Sequence, residues 1–190
     1  MQAGLRTATL VLPLGAMLVA GCAAPKLDFS KLVRPPRAAE LDAYDTFVGS
    51  WTWEATVLNS VDPEDKWTGT ATWRWILDRR CLHGVMSVRS AHADFDADGI
   101  WSWDAKAKKY RWSMFNSWGY PQEGTADYCS QTRSWTMRYR SIGLDGGSSY
   151  GRYIMTVVDD DTLDWQMVEW ADPLHVFKKI EMSGTYKRVP

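Results

Sequence analysis

The stretch that decides the fold is Trp67-Thr68-Gly69-Thr70-Ala71-Thr72-Trp73-Arg74-Trp75. Apolar or small residues occupy every second position of this stretch, and polar residues occupy the positions between them. A period of two is typical of a β-strand that has one dry face and one wet face. The same alternation recurs in residues 51–57, 110–114 and 134–140. We therefore expect a structure built from half-buried strands.

The connections between the strands are short and rich in turn-forming residues, including Asp62-Pro63-Glu64-Asp65, Asp98-Gly99 and Asp172-Pro173. No helical pattern interrupts them, so successive strands should pair as antiparallel neighbours. A long row of such strands avoids open edges by closing on itself. We predict an all-β fold, an up-and-down antiparallel β-barrel of about ten strands. A two-sheet sandwich is the alternative, and it would need longer crossover connections.

An N-terminal region with a different composition precedes the strands. Residues 1–21 combine one positive charge, Arg6, with an apolar run that is too short to span a bilayer. This layout is typical of a secretory signal peptide. Its end, Leu18-Val19-Ala20-Gly21-Cys22, resembles the bacterial lipoprotein box, which implies that Cys22 is the lipidated first residue of the mature chain. An ordinary signal peptide with an incidental cysteine is the alternative.

The chain after Cys22 divides into a tether and a domain. Residues 22–37 contain three prolines and should form an extended tether. Residues 38–47 should form a short helix, because Leu41, Tyr44 and Phe47 are spaced at three on one side. We assign residues 38–190 to the barrel domain. The residue after Cys22 is Ala23 rather than aspartate, which implies the periplasmic face of the outer membrane if the source has two membranes.

The charge balance limits the partners of the chain. The formal net charge is −1, and removal of Arg6 with the signal leaves 21 Lys and Arg against 23 Asp and Glu, or −2. A nearly neutral chain has no long-range field for nucleic acid. We expect no nucleic-acid partner and a membrane attachment through an acyl anchor at Cys22. Export leaves Cys81 and Cys129 either bridged or, as we prefer, as two buried and unreactive thiols.

All twelve tryptophans lie between Trp51 and Trp170, and most should point inward by alternation. They either line a pocket for a flat or apolar ligand or fill the lumen as a packed core. We favour a partly filled barrel with a small pocket. Inward polar side chains such as Asn116 should accept the indole N–H groups. The predicted pocket lining is Trp53, Trp73, Trp75, Trp112, Met114 and Tyr139.

Arg152 is the one cation that is a candidate for the same pocket. Arg152 lies beside the apolar run 153–158, so it either points inward to meet an acidic ligand group or lies on the outer surface. The alternation of that strand does not decide between the two.

The segment Phe47-Val48-Gly49-Ser50-Trp51 resembles the Gly-x-Trp entry of the calycin barrels, the group that includes lipocalins and fatty-acid-binding proteins. The resemblance implies that Trp51 closes the barrel floor and that an arginine near the last strand packs on it. Arg188 is the matching residue here.

Residues 40–189 more specifically resemble a large bacterial family of uncharacterised lipocalin-like proteins. The resemblance implies the barrel but no activity, and the chain departs from the family at Arg79, where glycine is usual. The matching segments are residues 73–82, 103–110, 158–162 and 185–188.

A related group, the haem-binding nitrobindins, ends in a similar Thr-Tyr-Lys-Lys strand with a histidine just before it. Residues 181–184 hold Glu, Met, Ser and Gly in those places, and His175 lies too far upstream. We therefore do not expect haem, nor any other cofactor.

An acidic stretch offers the one metal hypothesis. Asp94, Asp96 and Asp98 with Gly99 match the first half of a calcium loop, but Ala105 occupies the place of its bidentate glutamate. An acidic hairpin turn without calcium is the preferred interpretation. The histidines at 83, 92 and 175 form no ligand cluster by their spacing.

We expect a lipid-anchored periplasmic barrel that binds a small apolar or aromatic molecule without transforming it. An envelope scaffold or interaction protein with a filled barrel is the alternative. An enzyme at the barrel mouth is a third hypothesis, for which the sequence shows no nucleophile and base pair.

Overall fold

Ten antiparallel strands close into a barrel whose first strand pairs with its last. A computed structural model of the chain describes residues 33–62, 66–143 and 145–190. The signal peptide, Cys22 and residues 23–32 of the tether lie outside the described residues, and residues 36–190 form one compact unit. The strands are β1 Gly49–Val57, β2 Lys66–Ile76, β3 Cys81–Arg89, β4 Asp94–Asp104, β5 Lys109–Asn116, β6 Pro121–Cys129, β7 Ser134–Ile142, β8 Ser148–Asp159, β9 Thr162–Trp170 and β10 Lys178–Arg188.

The predicted up-and-down topology is confirmed, because every strand pairs with its sequence neighbours and β1 also pairs with β10. Strand β1 shows why the chain adopts it: Trp51, Trp53, Ala55 and Val57 are buried, and the residues between them face outward. Each strand has one apolar side, and closing the sheet turns those sides toward a common lumen.

The predicted N-terminal helix is a 3₁₀ helix, Ala39–Phe47, that closes one end of the barrel. A 3₁₀ helix has three residues per turn, so residues three apart lie on one side of it. Leu41, Tyr44 and Phe47 have this spacing, and all three are buried in the core. The apolar spacing thus selects the tighter helix over an α-helix.

A polar cluster fastens this helix to the turn between β2 and β3. The Trp75 indole N–H donates to Asp45 Oδ1 at 2.7 Å, and the Arg79 guanidinium donates to both Asp45 carboxylate oxygens at 2.6 and 2.9 Å. Arg79, the residue where the chain departs from the family pattern, has a left-handed backbone with φ of 59°. Glycine adopts this conformation without steric cost, whereas arginine here adds the ion pair with Asp45.

Two further expectations, one about a turn and one about the thiols, differ from the structure. Asp98 and Gly99 lie in the middle of β4 rather than in a turn. Cys81 and Cys129 are both free; Cys81 is half-buried and Cys129 is exposed, so neither is the fully buried thiol that was expected. No helix within the described residues is long and apolar enough to cross a membrane.

Candidate ligand-binding cavity

The barrel encloses a cavity of about 210 Å³ that reaches from the helix to the opposite mouth. Its floor is formed by Tyr44 and Phe47, and Asn116 and Gln122 lie at the mouth. All other lining residues are apolar or aromatic, and none of the described lining residues carries a formal charge. The tryptophans and methionines that line the cavity are Trp53, Trp67, Trp73, Trp101, Trp112, Trp135 and Trp165, with Met86, Met114, Met137, Met155, Met167 and Met182.

The inward rings lie flat on glycines of the next strand. Trp53 is directly opposite Gly69, and a Cβ added at Gly69 would lie 2.6 Å from the Trp53 indole. Trp112 repeats the arrangement with Gly124, where an added Cβ would lie 3.0 Å from the indole nitrogen. Five rings each cover the glycine that is opposite them on the next strand: Trp53 on Gly69, Trp73 on Gly84, Trp112 on Gly124, Tyr139 on Gly151 and Trp165 on Gly184.

This pairing decides between a filled and a hollow lumen. A ring that rests where a neighbouring side chain would otherwise project occupies the wall and leaves the centre free. The barrel is partly filled, as predicted, because five rings use glycine positions of the wall in this way. The aromatic residues that occupy part of the lumen are therefore also the reason that a cavity remains.

The floor is a stack of aromatic rings under the helix. Tyr44 stacks on Trp135 with ring centroids 4.8 Å apart and an angle of 5°. Beside this stack, the Arg188 guanidinium lies 4.2 Å from the Trp51 ring centroid and donates to the carbonyls of Val48 and Thr46. Trp51 and Arg188, the pair implied by the calycin resemblance, are thus in direct contact at this end.

The mouth holds the polar groups nearest to the cavity. Tyr139 lies across Gly151 and donates its hydroxyl to Glu169 Oε2 at 3.0 Å. The carboxylate of Glu169 is only 14 % exposed, and its other oxygen lies 3.7 Å from Lys179 Nζ. Burial, followed by the charge of Glu169, raises the pKa of Tyr139 well above its ordinary value, so this phenol stays protonated.

Two more phenols lie deeper in the lumen. Burial raises the pKa of Tyr186 to about 12 and raises that of Tyr153 well above its ordinary value. The Tyr186 hydroxyl donates to the sulfur of Met86 at 3.8 Å. Both phenols therefore remain neutral at physiological pH, and they add no charge to the cavity.

Five of the predicted pocket residues line the cavity: Trp53, Trp73, Trp112, Met114 and Tyr139. Trp75 does not line the cavity. Its indole N–H donates to Asp45 of the helix, and its ring contacts the guanidinium groups of Arg37 and Arg79. Arg152 does not line the cavity either. The inward side of β8 is set by Gly151, Tyr153 and Met155, so Arg152 is exposed and lies over the ring of Trp170 on the outside. Of the two directions left open for Arg152, the structure has the outward one, so Arg152 is not a pocket residue.

Several cavity residues were missed, notably Trp165, Tyr153 and the neighbouring Glu169. A signal for them exists in the chain, since Leu163, Trp165 and Met167 alternate with Asp164 and Gln166. Extending that alternation by one step places Glu169 on the inward side at the mouth.

The expectation that inward polar groups satisfy the indoles is wrong for most deep rings. Trp51 donates to the Phe47 carbonyl at 2.8 Å. The buried indole nitrogens of Trp53, Trp112, Trp135 and Trp165 have no acceptor among the described residues.

The calcium hypothesis is not supported by the position of its carboxylates. Asp94, Asp96 and Asp98 project outward from β4 instead of surrounding a loop, and basic side chains already pair with them. Arg89 bridges Asp94 and Asp96 at 2.9 and 3.0 Å, and the His83 ring lies 2.9 Å from Asp98. Within residues 33–62, 66–143 and 145–190, no three His, Cys, Asp or Glu side chains are arranged to hold a metal ion.

Comparisons with known proteins give the fold. No protein-family model matches the chain, and no curated protein sequence is significantly similar to it. Rv2717c from M. tuberculosis is similar in structure, with a TM-score of 0.59 and 11 % identity over 82 % of this chain and 100 % of that one. The S-type phycobiliprotein lyase CPES from Guillardia theta has a TM-score of 0.52 and 10 % identity over 81 % of this chain and 94 % of that one. Together with the closed ten-strand topology, these likenesses identify the fold as a calycin-like barrel.

Proposed function

We propose that this protein binds one small, uncharged, apolar or aromatic molecule inside its barrel and does not transform it. The observation that carries the proposal is the cavity of about 210 Å³ with no charged residue among its described lining. The proposal includes export and acylation at Cys22, which rest on the N-terminal sequence alone.

The energetic argument concerns what a cavity of this size costs. Cavities in protein cores destabilise by roughly 24 cal/mol per Å³. Because this cavity opens at the mouth of the barrel, its 210 Å³ corresponds to at most about 5 kcal/mol. This is comparable with the whole free energy of unfolding of many domains. A molecule that fills the cavity would recover part of this energy, and that recovery is the driving force for binding.

The lining also limits the size and charge of the ligand. An apolar cavity of roughly 150 Å³ holds benzene, so 210 Å³ suits a molecule with one or two fused rings. A buried carboxylate without a cation costs several kcal/mol. Because Arg152 lies outside, a fatty acid would find no basic partner in this lumen.

The test is a titration of the full chain that carries Cys22→Ser, which removes the predicted acylation site. Two-ring aromatic molecules should change the tryptophan fluorescence with a saturable midpoint and raise the melting temperature. A matched pair of variants reports on the lumen. Ala126→Phe adds a ring inside the cavity and should abolish binding, whereas Thr125→Phe adds the same ring on the outer face of β6.

A flat response across neutral one- and two-ring compounds, or equal binding by both variants, would contradict the proposal. The anchor is tested separately, since labelling with radioactive palmitate in the native cell should be lost in Cys22→Ser.

The alternative function, an interaction protein, is favoured by one loop. Leu174, Val176 and Phe177 are 82, 65 and 69 % exposed on the connection between β9 and β10. Asp172 holds this loop by accepting backbone N–H groups, chiefly that of Phe177, which lowers the pKa of the carboxyl. An ordered loop that presents three apolar side chains is typical of an interaction surface. A photo-crosslinker at position 177 that captures a defined envelope protein, with position 125 as its silent control, would favour this function.

A further inference from the structure

We infer that the natural ligand is a neutral molecule with hydrogen-bond acceptor oxygens, which accept from the indole N–H groups of Trp53, Trp112 and Trp165. This inference rests on the proposed function and defines the chemical class of the ligand. Carbonyl-bearing aromatic molecules belong to this class, whereas plain hydrocarbons and carboxylates do not.

The first observation concerns the three donors. Trp53, Trp112 and Trp165 line the cavity and are 7, 7 and 6 % exposed. No described residue accepts a hydrogen bond from any of the three indole nitrogens. Buried N–H groups in native proteins are almost always paired, so these unpartnered donors around one cavity require an explanation. The indole nitrogen of Trp135 is unpartnered as well, but its ring is stacked on Tyr44 in the floor, so the inference is confined to the other three.

The second observation explains why the protein itself leaves these donors unpaired. Each ring lies flat on a glycine, so the neighbouring position offers no side chain that could accept. A serine or threonine there would supply an acceptor, but its Cβ would collide with the ring or with the adjacent strand. The glycines that keep the lumen open therefore also leave the indoles without acceptors.

The third observation sets the charge of the ligand. The described lining contains N–H donors and neutral phenols but no lysine, arginine or histidine. An anionic acceptor would thus be buried without a cation, which is strongly unfavourable. Neutral carbonyl or ether oxygens satisfy the donors without that penalty.

The indole nitrogens have almost no exposed surface in this structure. The nitrogens of Trp53 and Trp112 lie against Gly69 and Gly124 in the wall, so a ligand oxygen reaches them only when the ring turns away from its glycine. Binding should then shift the NMR resonance of the indole N–H group that donates, which gives a readout independent of affinity.

The experiment compares three probes of similar ring size on the full Cys22→Ser chain by calorimetry. Chromone has neutral oxygens, naphthalene has none, and naphthoate carries a charge. We expect chromone to bind about ten-fold more tightly than naphthalene, because a hydrogen bond contributes roughly two- to ten-fold in affinity. Naphthoate should be the weakest, by on the order of a hundred-fold relative to chromone.

Phenylalanine variants identify the donors, because they remove the N–H and keep a ring. A variant at position 53, 112 or 165 should lower chromone affinity about two- to ten-fold if its indole resonance shifts with chromone. Because phenylalanine is also smaller than tryptophan, the naphthalene affinity of the same variant measures the change in packing, and the ratio of chromone to naphthalene affinity is the quantity that should fall. Trp101→Phe is the matched control: Trp101 lines the cavity beside Trp112 and is not among the buried unpartnered nitrogens, so both affinities should change together and their ratio should stay the same.

The outcomes separate this inference from the proposed function. Equal affinities for chromone and naphthalene, or no shifted indole resonance in the unsubstituted protein, would overturn the acceptor class and leave ligand binding intact. Failure of all three probes to bind would count against the proposed function itself.

Discussion

A single methyl group at Gly151 should dislodge the polar contact at the cavity mouth. In Gly151→Ala, the new Cβ would lie 2.0 Å from Tyr139 Cζ and 2.4 Å from its hydroxyl oxygen. Ordinary carbon contacts are about 3.5–4.0 Å. The Tyr139 ring must therefore move by about 1.5 Å, which breaks its hydrogen bond to Glu169.

The magnitude follows from two contributions. A hydrogen bond to a charged group contributes about 1.5–3 kcal/mol, and overpacking costs about 1–3 kcal/mol. We expect Gly151→Ala to lower the free energy of unfolding by about 3–5 kcal/mol. The displaced ring also enters the lumen, because the wall position that it occupied is taken, so ligand affinity should fall in the same variant.

Urea unfolding of a mutant cycle measures the effect. Tyr139→Phe removes only the hydroxyl and should cost about 1.5–3 kcal/mol. Once Tyr139→Ala removes the ring, the added Gly151→Ala should be neutral or slightly stabilising, since alanine is less free than glycine in the unfolded chain. A cycle in which the two changes are additive, or a Gly151→Ala protein as stable as the parent, would refute the reasoning.

Two further predictions concern the floor and the phenols. Arg188→Leu removes the cation from the Trp51 face and three hydrogen bonds to backbone carbonyls, so the free energy of unfolding should fall by about 2–4 kcal/mol in urea titrations. An unchanged midpoint would contradict a closing role for this residue. Burial raises the pKa of Tyr110 and Tyr186 to about 12 from an ordinary value of 10. Their contribution to stability is complete below pH 10 and is lost as pH rises toward 12, because unfolding then releases protons. Tyrosinate absorbance that rises before the fluorescence change of unfolding would argue against this coupling.

The architecture could be predicted because it depends on local patterns. Alternation in β1 and β2 reports which side chains share a face, and short turns leave only antiparallel neighbours. The spacing of three between Leu41, Tyr44 and Phe47 likewise matches the three residues per turn of the observed 3₁₀ helix.

The site was harder to predict because it depends on strand register. That Trp53 lies on Gly69 is a property of two strands, and neither segment alone specifies which residues are opposite each other. Trp75 shares a face with Trp73, yet the helix separates Trp75 from the cavity. Alternation along a strand predicts which side of the sheet a residue faces, but not how far along the barrel axis it lies. Arg152 was ambiguous because Tyr153 to Val157 are apolar on both sides, so only the pairing with β9 sets its direction.

The pairing of Trp51 with Arg188 has a consequence for how the chain acquires its structure. The paired strands β1 and β10 are separated in sequence by nearly the whole barrel domain. Closure of the barrel is therefore a late folding event that requires the C-terminal segment. Until then, β1 and the growing end present unpaired main-chain groups to any other chain nearby. A nascent molecule should therefore depend on a holdase until its last strand is synthesised, and loss of β10 should increase aggregation.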